Sequence, residues 1–226
     1  MKHKIQIPFA IIFWIMAVTD VFGIATHIPL LHFVAKPLLI PILLLLLYFS
    51  KNTVLHKKLI VTGLFFSWLG DIFLLFDTKN NLFFIFGLVC FLSTHIFYII
   101  YFLKTPSSTV SLLKKQPWLV LLVITYGAVL VWLLYPHLGD LKIAVIIYAA
   151  VICTMLLCSL HVFLKVNTPA NVFYLVGAAF FVLSDSLLAI NKFYQPFAFA
   201  GVYIMLTYCA AQYFIVNGFI KQLPND

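Results

Sequence analysis

The sequence contains no glutamate and no arginine, and its acidic residues are six aspartates. Charged residues make up only 9% of the 226 positions, whereas 65% are hydrophobic and the mean hydropathy is +1.14. A soluble globular domain carries about 25% charged residues, so this composition excludes that class. The chain is therefore predicted to be a polytopic membrane protein.

Cysteine is also scarce, and all four cysteines fall inside long apolar segments, at Cys90, Cys153, Cys158 and Cys209. A thiol in such a segment usually packs as a small apolar group, so neither a disulfide framework nor a zinc site is expected. The chain has no GxSxG elbow, no glycine-rich phosphate loop and no basic helix interleaved with aromatic residues. We therefore expect no metal, no cofactor and no nucleic-acid partner.

Long apolar segments recur along the chain, separated by short polar breaks. A helix needs about 20 apolar residues to cross the ~30 Å hydrocarbon core of a bilayer. Eight segments meet this length, at about 8–26, 30–49, 59–77, 82–103, 117–135, 141–164, 171–191 and 197–220. The predicted fold is all-α, with eight transmembrane helices in a single domain over residues 1–226. The first segment is too long for a signal peptide and has no clear cleavage site, so it is interpreted as a membrane helix.

The basic residues are all lysines, and their placement follows the membrane. If the eight helices alternate in direction, most lysines fall on one side: Lys2, Lys4, Lys51, Lys57, Lys58, Lys104, Lys114, Lys115, Lys165 and Lys221. Only Lys79, Lys142 and Lys192 fall on the other side. Because cytoplasmic loops are enriched in positive charge, both termini are predicted to be cytoplasmic. We expect an integral protein of a bacterial inner membrane.

Five predicted helices each carry one ionisable residue: Asp20, Lys36, Asp71, His95 and Asp185. An ionisable group inside a bilayer is costly unless it faces protein or water, so each is a functional candidate. The alternating topology places the three aspartates in the outer half of the membrane, with Lys36 at a similar level.

Asp71 and Asp185 are the strongest of these candidates. In TGLFFSWLGDIFLLF (62–76), Gly63, Ser67 and Asp71 recur every four residues and share one helix face. In GAAFFVLSDSLLAINKF (177–193), Gly177, Ser184 and Asn191 are spaced seven residues apart, and Asp185 directly follows Ser184. Ser184 fits equally well as a residue that hydrogen-bonds to a neighbouring helix. A buried carboxyl group, however, must be paired or protonated.

The other candidates have ordinary structural interpretations beside the functional one. Lys36 precedes Pro37 in a helix whose prolines leave backbone carbonyls without a helical donor. In the functional interpretation it binds a phosphate or pairs with an aspartate. In the structural one its side chain extends to the membrane–water interface. Asp20 lies near a helix end and could reach interfacial water. Two pairs each share a helix face: His95 with Tyr98, and Tyr208 with Gln212. These residues and Tyr148 could equally be structural or interfacial.

Two carboxyl groups in one apolar cavity do not both ionise, so one holds a proton near neutral pH while the other is charged. Such a pair suits hydrolysis of an acid-labile bond, with each proton transfer contributing about 10²–10⁴-fold. A cavity inside the membrane suggests a lipid substrate.

Several segments together resemble the YhhN-type lysoplasmalogenase family. They are AKPL (35–38), FFSWLGDIFLLF (65–76), STHIFYIIYF (93–102), VIIYAAV (145–151), GAAFFVLSDSLLAINKF (177–193) and YCAAQYFI (208–215). The stretch Ser-Asp-Ser-x-x-Ala-x-Asn-Lys-Phe is the most specific of them. The resemblance implies an eight-helix membrane enzyme that cleaves the vinyl ether of lysoplasmalogens. The products would be a fatty aldehyde and glycerophosphocholine or glycerophosphoethanolamine.

The resemblance also implies roles for individual residues. Asp71 and Asp185 become the acid–base pair, and Lys36 becomes a charge partner or phosphate contact. The supporting or cavity-lining positions are Asp20, His95, Tyr98, Tyr148, Ser184, Asn191, Tyr208 and Gln212. Cys209 stands where the family pattern Tyr-Tyr-x-Ala-Gln has its second tyrosine, so no role is carried over to that ring.

Two other functions stay open at this point. An intramembrane aspartyl protease also uses two aspartates, but its Gly-x-Gly-Asp and Tyr-Asp motifs are absent here. A lipid or proton-coupled transporter could use the same aspartates and Lys36 for binding alone. A weak similarity between the Asp71 and Asp185 segments, which would be a parallel four-plus-four repeat, slightly favours the transporter.

Overall fold

The computed structural model describes residues 2–50, 56–105 and 109–222, and it describes side chains from residue 7 onward. Within these ranges the chain forms eight long helices. They are α1 (Lys2–Ala25), α2 (Pro29–Tyr48), α3 (Lys57–Leu74), α4 (Asn81–Lys104), α5 (Trp118–Leu134), α6 (Lys142–Val162), α7 (Ala170–Ala189) and α8 (Ala200–Lys221). A π-helical turn, Ile190–Tyr194, continues α7, and a one-turn helix, Leu112–Lys115, precedes α5.

The predicted all-helical membrane architecture is confirmed. In the described part of the chain, seven of the eight long helices are long and apolar enough to cross a membrane. The exception is α3, whose 18 residues include Lys57, Lys58 and Asp71. The helix ends lie within about three residues of the predicted ones, apart from α1, which begins earlier than expected.

Local sequence explains several of these ends. Pro29 occupies the first turn of α2, where a missing backbone N–H leaves no bond unmade. The side chain of Asn80 caps α4 by accepting a hydrogen bond from the backbone N–H of Leu82 at 2.9 Å. Within α2, the carbonyl of Pro37 loses its helical donor at Pro41, and Nε1 of Trp68 on α3 donates to it at 3.0 Å. The carbonyl that Pro41 leaves free in α2 is thereby satisfied from the neighbouring helix.

The helices pack chiefly as sequential pairs, α1 with α2, α3 with α4 and α7 with α8, and α4 crosses to α6. Small residues set the closest approaches. A Cβ at Gly63 would lie 2.6 Å from the ring of Tyr98, so only glycine leaves room for that ring between α3 and α4. Helix α5 is peripheral and packs on α6 and on the segment Ile190–Tyr194.

Candidate active site

Helices α4, α6 and α7 bring an imidazole, a phenol and a carboxyl group together. The hydroxyl of Tyr148 donates to Oδ2 of Asp185 at 2.6 Å. Nε2 of His95 lies 3.0 Å from the same oxygen and 3.1 Å from the Tyr148 hydroxyl. We call these three residues the Asp185 cluster. Its histidine is fully buried, whereas the side chain of Asp185 keeps 12% of its surface exposed.

The ring of His95 is held by aromatic neighbours as well as by hydrogen bonds. It meets the ring of Phe181 edge-on at a centroid distance of 5.0 Å and that of Tyr148 at 5.6 Å. Its Nδ1 is buried and has no hydrogen-bond partner among the described residues. Nε2 is therefore the ring nitrogen that links His95 to Asp185.

A second network forms around Asp71 between α3, α4 and α8. The hydroxyl of Tyr208 donates to Oδ2 of Asp71 at 2.6 Å. The amide of Gln212 donates to Oγ of Ser67 at 2.7 Å and accepts from the Tyr98 hydroxyl at 2.9 Å. These five residues, which we call the Asp71 cluster, are all buried. Gln212 ties the three helices together by using its donor and its acceptor at once.

The two aspartates belong to separate clusters, and no hydrogen bond between described residues joins those clusters. The ring of Phe181 contacts both clusters, with centroid distances of 5.0 Å to His95 and 5.8 Å to Tyr208. His95 and Tyr98 both face inward, as their shared helix face suggests, yet each bonds to a different cluster. One aromatic ring is thus shared by a partner of Asp185, His95, and a partner of Asp71, Tyr208.

Charged residues of α1 and α2 lie near the Asp71 cluster. Lys36 is buried, with 6% of its surface exposed, and both Lys36 and Asp20 interact electrostatically with Asp71. Asp20 is wholly buried and does not reach interfacial water. Its Oδ1 lies 2.7 Å from Nδ1 of His32, while Oδ2 has no partner among the described residues.

Ser184 and Asn191 contact backbone groups. Oγ of Ser184 donates to the carbonyl of Ile204 at 3.0 Å and so links α7 to α8. Oδ1 of Asn191 accepts from the backbone N–H of Phe197 at 3.4 Å and bridges the connection that leads into α8. Both side chains position the end of α7 that carries Asp185.

Two cavities meet at the Asp185 cluster. The first has a volume of about 40 Å³ and lies between α5, α6 and α7, and we call it the α5 cavity. The second has a volume of about 30 Å³ and is lined by α4, α6, α7 and Phe193, and we call it the α4 cavity. Asp185 and Tyr148 line both cavities, together with Val145 and Ala189. Asp71 lines neither of the two. Both cavities have mostly apolar walls and a few polar groups, and each has room for a few water molecules.

Several residues of the site were not predicted from the sequence. Thr94 bonds to Ser67 at 3.0 Å, and His32 pairs with Asp20. Each lies four residues from a predicted site residue, Tyr98 and Lys36 respectively, so the shared helix face could have indicated them. Phe181 carries no polar group and gave no such signal.

Histidine, cysteine and aspartate side chains form no group of three that could hold a metal ion within residues 2–50, 56–105 and 109–222.

Comparison with known proteins adds a family to this geometry. The model of the YhhN family matches residues 31–219. A Mycobacterium tuberculosis protein named lysoplasmalogenase is 29% identical over 179 residues, which cover 76% of this chain and 64% of that protein. Lysoplasmalogenase TMEM86B of Sus scrofa is 35% identical over 136 residues, 58% of this chain and 52% of that protein. Lysoplasmalogenase TMEM86A of Homo sapiens is 32% identical over 157 residues, which cover 68% of this chain and 61% of that protein.

The chain spans less than two thirds of the length of these relatives. No solved structure matches it significantly.

Proposed function

The chain belongs to the YhhN family, and on that premise we propose that it hydrolyses the vinyl ether bond of lysoplasmalogens. The products are a fatty aldehyde and glycerophosphocholine or glycerophosphoethanolamine. The observation that carries the proposal is the Asp185 cluster, which places an orientated carboxyl group where two largely apolar cavities meet inside a helical membrane domain. The relatives named lysoplasmalogenase, at 29% to 35% identity, support the same activity.

The chemistry needs only proton transfers and one water molecule. An acid protonates the alkenyl carbon that is not bonded to oxygen, and the chain becomes an oxocarbenium ion. Water then adds to the carbon beside the ether oxygen while a base takes its proton. The resulting hemiacetal then collapses: the bond between its carbon and the glycerol oxygen breaks, the hemiacetal hydroxyl gives up its proton as the aldehyde forms, and the glycerol oxygen takes up a proton and leaves as a hydroxyl group. Two carboxyl groups suffice for these steps.

Asp185 and Asp71 are the groups to which we assign the two proton transfers. Asp185 lines both cavities and contacts the lipid there, while Tyr148 and His95 fix the orientation of its carboxyl group. Asp71 is held by the hydroxyl of Tyr208, whose ring contacts Phe181.

Lys36 is the charge partner of Asp71 in this assignment, because both side chains are buried and they interact electrostatically. Asp20 on α1 belongs to the same group of buried charged residues and also interacts electrostatically with Asp71. The remaining supporting residues hold helices in place: Tyr98, Ser184, Asn191 and Gln212.

We also propose that all eight long helices cross the membrane, in a single domain with both termini in the cytoplasm of a bacterium. The 18 residues of α3 rise about 27 Å, close to the thickness of the hydrocarbon core. The charge of Lys57 at the start of α3 has a hydrogen-bond partner, because its Nζ donates to the carbonyl of Leu47 at the end of α2, at 2.9 Å.

A transporter or flippase is the second candidate. The buried group formed by Asp20, Lys36 and Asp71 favours it, since Oδ2 of Asp20 has no partner among the described residues and could bind a proton or a cation. Buried charges of this kind mark ion and proton pathways in membrane proteins.

One assay separates the two functions. Purified protein in detergent is incubated with a lysoplasmalogen, with its saturated 1-O-alkyl analogue and with the 1-acyl analogue, and fatty aldehyde is measured. Hydrolysis of the vinyl ether predicts aldehyde from the first lipid alone, with an equal amount of glycerophosphodiester. No aldehyde, together with movement of labelled lipid across reconstituted vesicles, would establish the transporter instead.

A further inference from the structure

The stretch Asn191-Lys192-Phe193 ends the most specific segment of the sequence, and the proposed proton transfers use none of its side chains. It lies in the π-helical turn that continues α7, and such turns are rare and occur often at functional sites. Phe193 lines the α4 cavity beside Asp185. Asn191 fixes the turn against the chain that leads into α8, since its Oδ1 accepts from the backbone N–H of Phe197. These contacts leave Lys192 as the member of the stretch without a role.

The charge of Lys192 lies beside the α4 cavity. Its Nζ is 4.6 Å from the centroid of the Phe84 ring, in a cation–π contact, and Phe84 lines that cavity together with Asp185. The rings of Phe84 and Phe193 meet edge-on at 5.7 Å, so the ammonium group is held against the aromatic part of the cavity wall. Asp185 also faces α4, through His95. Lys192 and Asp185 therefore approach the same neighbouring helix from positions two helical turns apart.

Lys192 is only weakly paired within the protein. Its Nζ lies 3.9 Å from Oδ2 of Asp77, in the connection between α3 and α4, and the two side chains are 30% and 29% exposed. An exposed ion pair of this length contributes little to stability, so another anion can replace the carboxylate at small cost. The ammonium group is thus available to a ligand that carries a negative charge.

The separation of Lys192 from Asp185 matches the dimensions of a lysoplasmalogen. The seven positions between them correspond to a rise of about 10 Å at about 1.5 Å per residue. In the lipid, six single bonds of about 1.5 Å join the alkenyl carbon beside the ether oxygen to the phosphorus atom, so the extended glycerol unit spans about 7 Å. A P–O bond and a charge-assisted hydrogen bond of about 2.8 Å complete the distance to an ammonium nitrogen. A vinyl ether beside Asp185 therefore brings its phosphate within reach of Lys192.

From these observations we infer that Lys192 binds the phosphate of the lysophospholipid while the vinyl ether lies beside Asp185. The inference deepens the proposed function and rests on it for the identity of the lipid. When the lipid binds, its phosphodiester replaces Asp77 as the partner of the ammonium group, and the ring of Phe84 keeps that group in place. Lys192 makes the site selective for phosphorylated lipids and takes no part in the proton transfers.

Two other lysines provide matched controls. Nζ of Lys79 lies 5.0 Å from the centroid of the Phe76 ring, and Nζ of Lys142 lies 4.7 Å from that of the Tyr135 ring. Both contacts resemble that of Lys192, yet neither ring lines the α4 or the α5 cavity. If positive charge attracted phospholipids in general, the three lysines would be equivalent. A specific phosphate site makes Lys192 different from the other two.

Binding of two lipids that cannot be hydrolysed tests the inference on the purified whole chain in a neutral detergent. A saturated 1-O-alkyl lysophosphatidylcholine carries the phosphate, and the 1-O-alkylglycerol with the same chain lacks it. Dissociation constants are measured by native mass spectrometry for the wild type, Lys192→Gln, Lys192→Arg, Lys79→Gln and Lys142→Gln. Diacyl phosphatidylcholine is the third probe, because it carries the same phosphate in a bilayer lipid.

Lys192→Gln is expected to weaken binding of the lysophosphatidylcholine about tenfold, because it removes a charge-assisted hydrogen bond to the phosphate. Binding of the alkylglycerol should stay as in the wild type, which also shows that the variant is folded. Lys192→Arg should keep the affinity for the phosphorylated lipid within about threefold of the wild type, since a guanidinium group also binds phosphate. The Lys79→Gln and Lys142→Gln variants should match the wild type.

Asp77→Asn decides the test if Lys192→Gln does not fold. It removes the carboxylate that competes for the ammonium group, so it should tighten binding of the lysophosphatidylcholine and leave the alkylglycerol unchanged. An Asp77→Asn protein that binds both lipids as the wild type does would overturn the inference in that case.

The inference is overturned if Lys192→Gln weakens binding of both ether lipids equally or of neither, or if a control lysine variant has the same effect. It is also overturned if diacyl phosphatidylcholine loses as much affinity as the lysophosphatidylcholine, since Lys192 would then hold bilayer lipid. A wild type that binds neither ether lipid overturns it as well. Failure of the proposed function gives a different result, in which binding depends on Lys192 as expected but no aldehyde is released from a lysoplasmalogen.

Discussion

The hydroxyl of Tyr148 lies 2.6 Å from Oδ2 of Asp185, and this contact joins α6 to α7 at the wall that the two cavities share. A separation this short is typical of a charge-assisted O–H···O hydrogen bond. His95 reaches the same carboxyl oxygen from α4 at 3.0 Å. Three helices therefore determine where one partly exposed carboxyl group points.

Tyr148→Phe removes one of the two donors from Asp185 while it keeps the ring. A hydrogen bond to a charged group contributes about 1.5–3 kcal/mol, so aldehyde release should fall about 10- to 100-fold in kcat/KM. Tyr174→Phe is the control, because its hydroxyl donates to Gln222 at 2.7 Å and lines neither cavity. Equal losses in both variants, measured per folded protein, would contradict the role given to Tyr148.

His95→Gln and His95→Leu separate a positioning role from simple packing. The amide nitrogen of glutamine can replace Nε2 as the donor to Asp185, whereas leucine cannot. We expect His95→Gln to keep activity within about tenfold of the wild type and His95→Leu to fall a further tenfold or more. If the two variants have the same kcat, His95 does not act through its hydrogen bond.

Helix positions in this protein follow directly from the sequence, because the bilayer requires apolar segments of a fixed length. The sequence also indicated that His95 and Tyr98 face the same way, since residues three apart share a helix face. Which residue bonds to which did not follow. The contact of Asp185 with His95 spans 90 positions and depends on how α4 and α7 pack.

The sequence also led us to expect that Asp71 and Asp185 share one cavity, whereas Asp185 lines both cavities near it and Asp71 lines neither. Matching depth in the membrane suggested that the two residues meet. In the structure the two aspartates bond to separate clusters, and the ring of Phe181 contacts both of these clusters; an apolar residue such as Phe181 carries no signal of this in the sequence. The depth of a residue in the membrane follows from its position in one helix, whereas a contact also depends on how two helices are rotated about their axes.

Gln212→Leu tests the structural importance of the Asp71 cluster. The change leaves the buried hydroxyl of Tyr98 without its partner, which costs about 1–3 kcal/mol, and removes one of the two side-chain partners of Ser67, which keeps Thr94. The melting temperature in detergent should fall clearly. Asn217→Ala is the matched control on the same helix, because its amide donates only to the carbonyl of Tyr213 within α8, at 2.8 Å. A similar fall in both variants would show that Gln212 does not tie the helices together.

Hydrolysis in D₂O tests the protonation step. If an acid protonates the alkenyl carbon, the released aldehyde carries one deuterium on the carbon next to the carbonyl group. The aldehyde is reduced to the alcohol as it forms, and its mass is measured. Unlabelled aldehyde incubated and reduced in the same way corrects for exchange. Aldehyde without deuterium would mean that the vinyl ether is cleaved by other chemistry.

The central claim is that Asp71 and Asp185 carry out the proton transfers of vinyl ether hydrolysis. Its most direct test is the rate of aldehyde release from a lysoplasmalogen by purified wild type, Asp71→Asn and Asp185→Asn. Asparagine keeps the shape of the side chain, so both variants should elute and melt nearly as the wild type does. We expect the wild type to release aldehyde and each variant to be slower by about 10²–10⁴-fold. The claim is contradicted if the wild type releases none, or if either variant releases aldehyde as fast as the wild type.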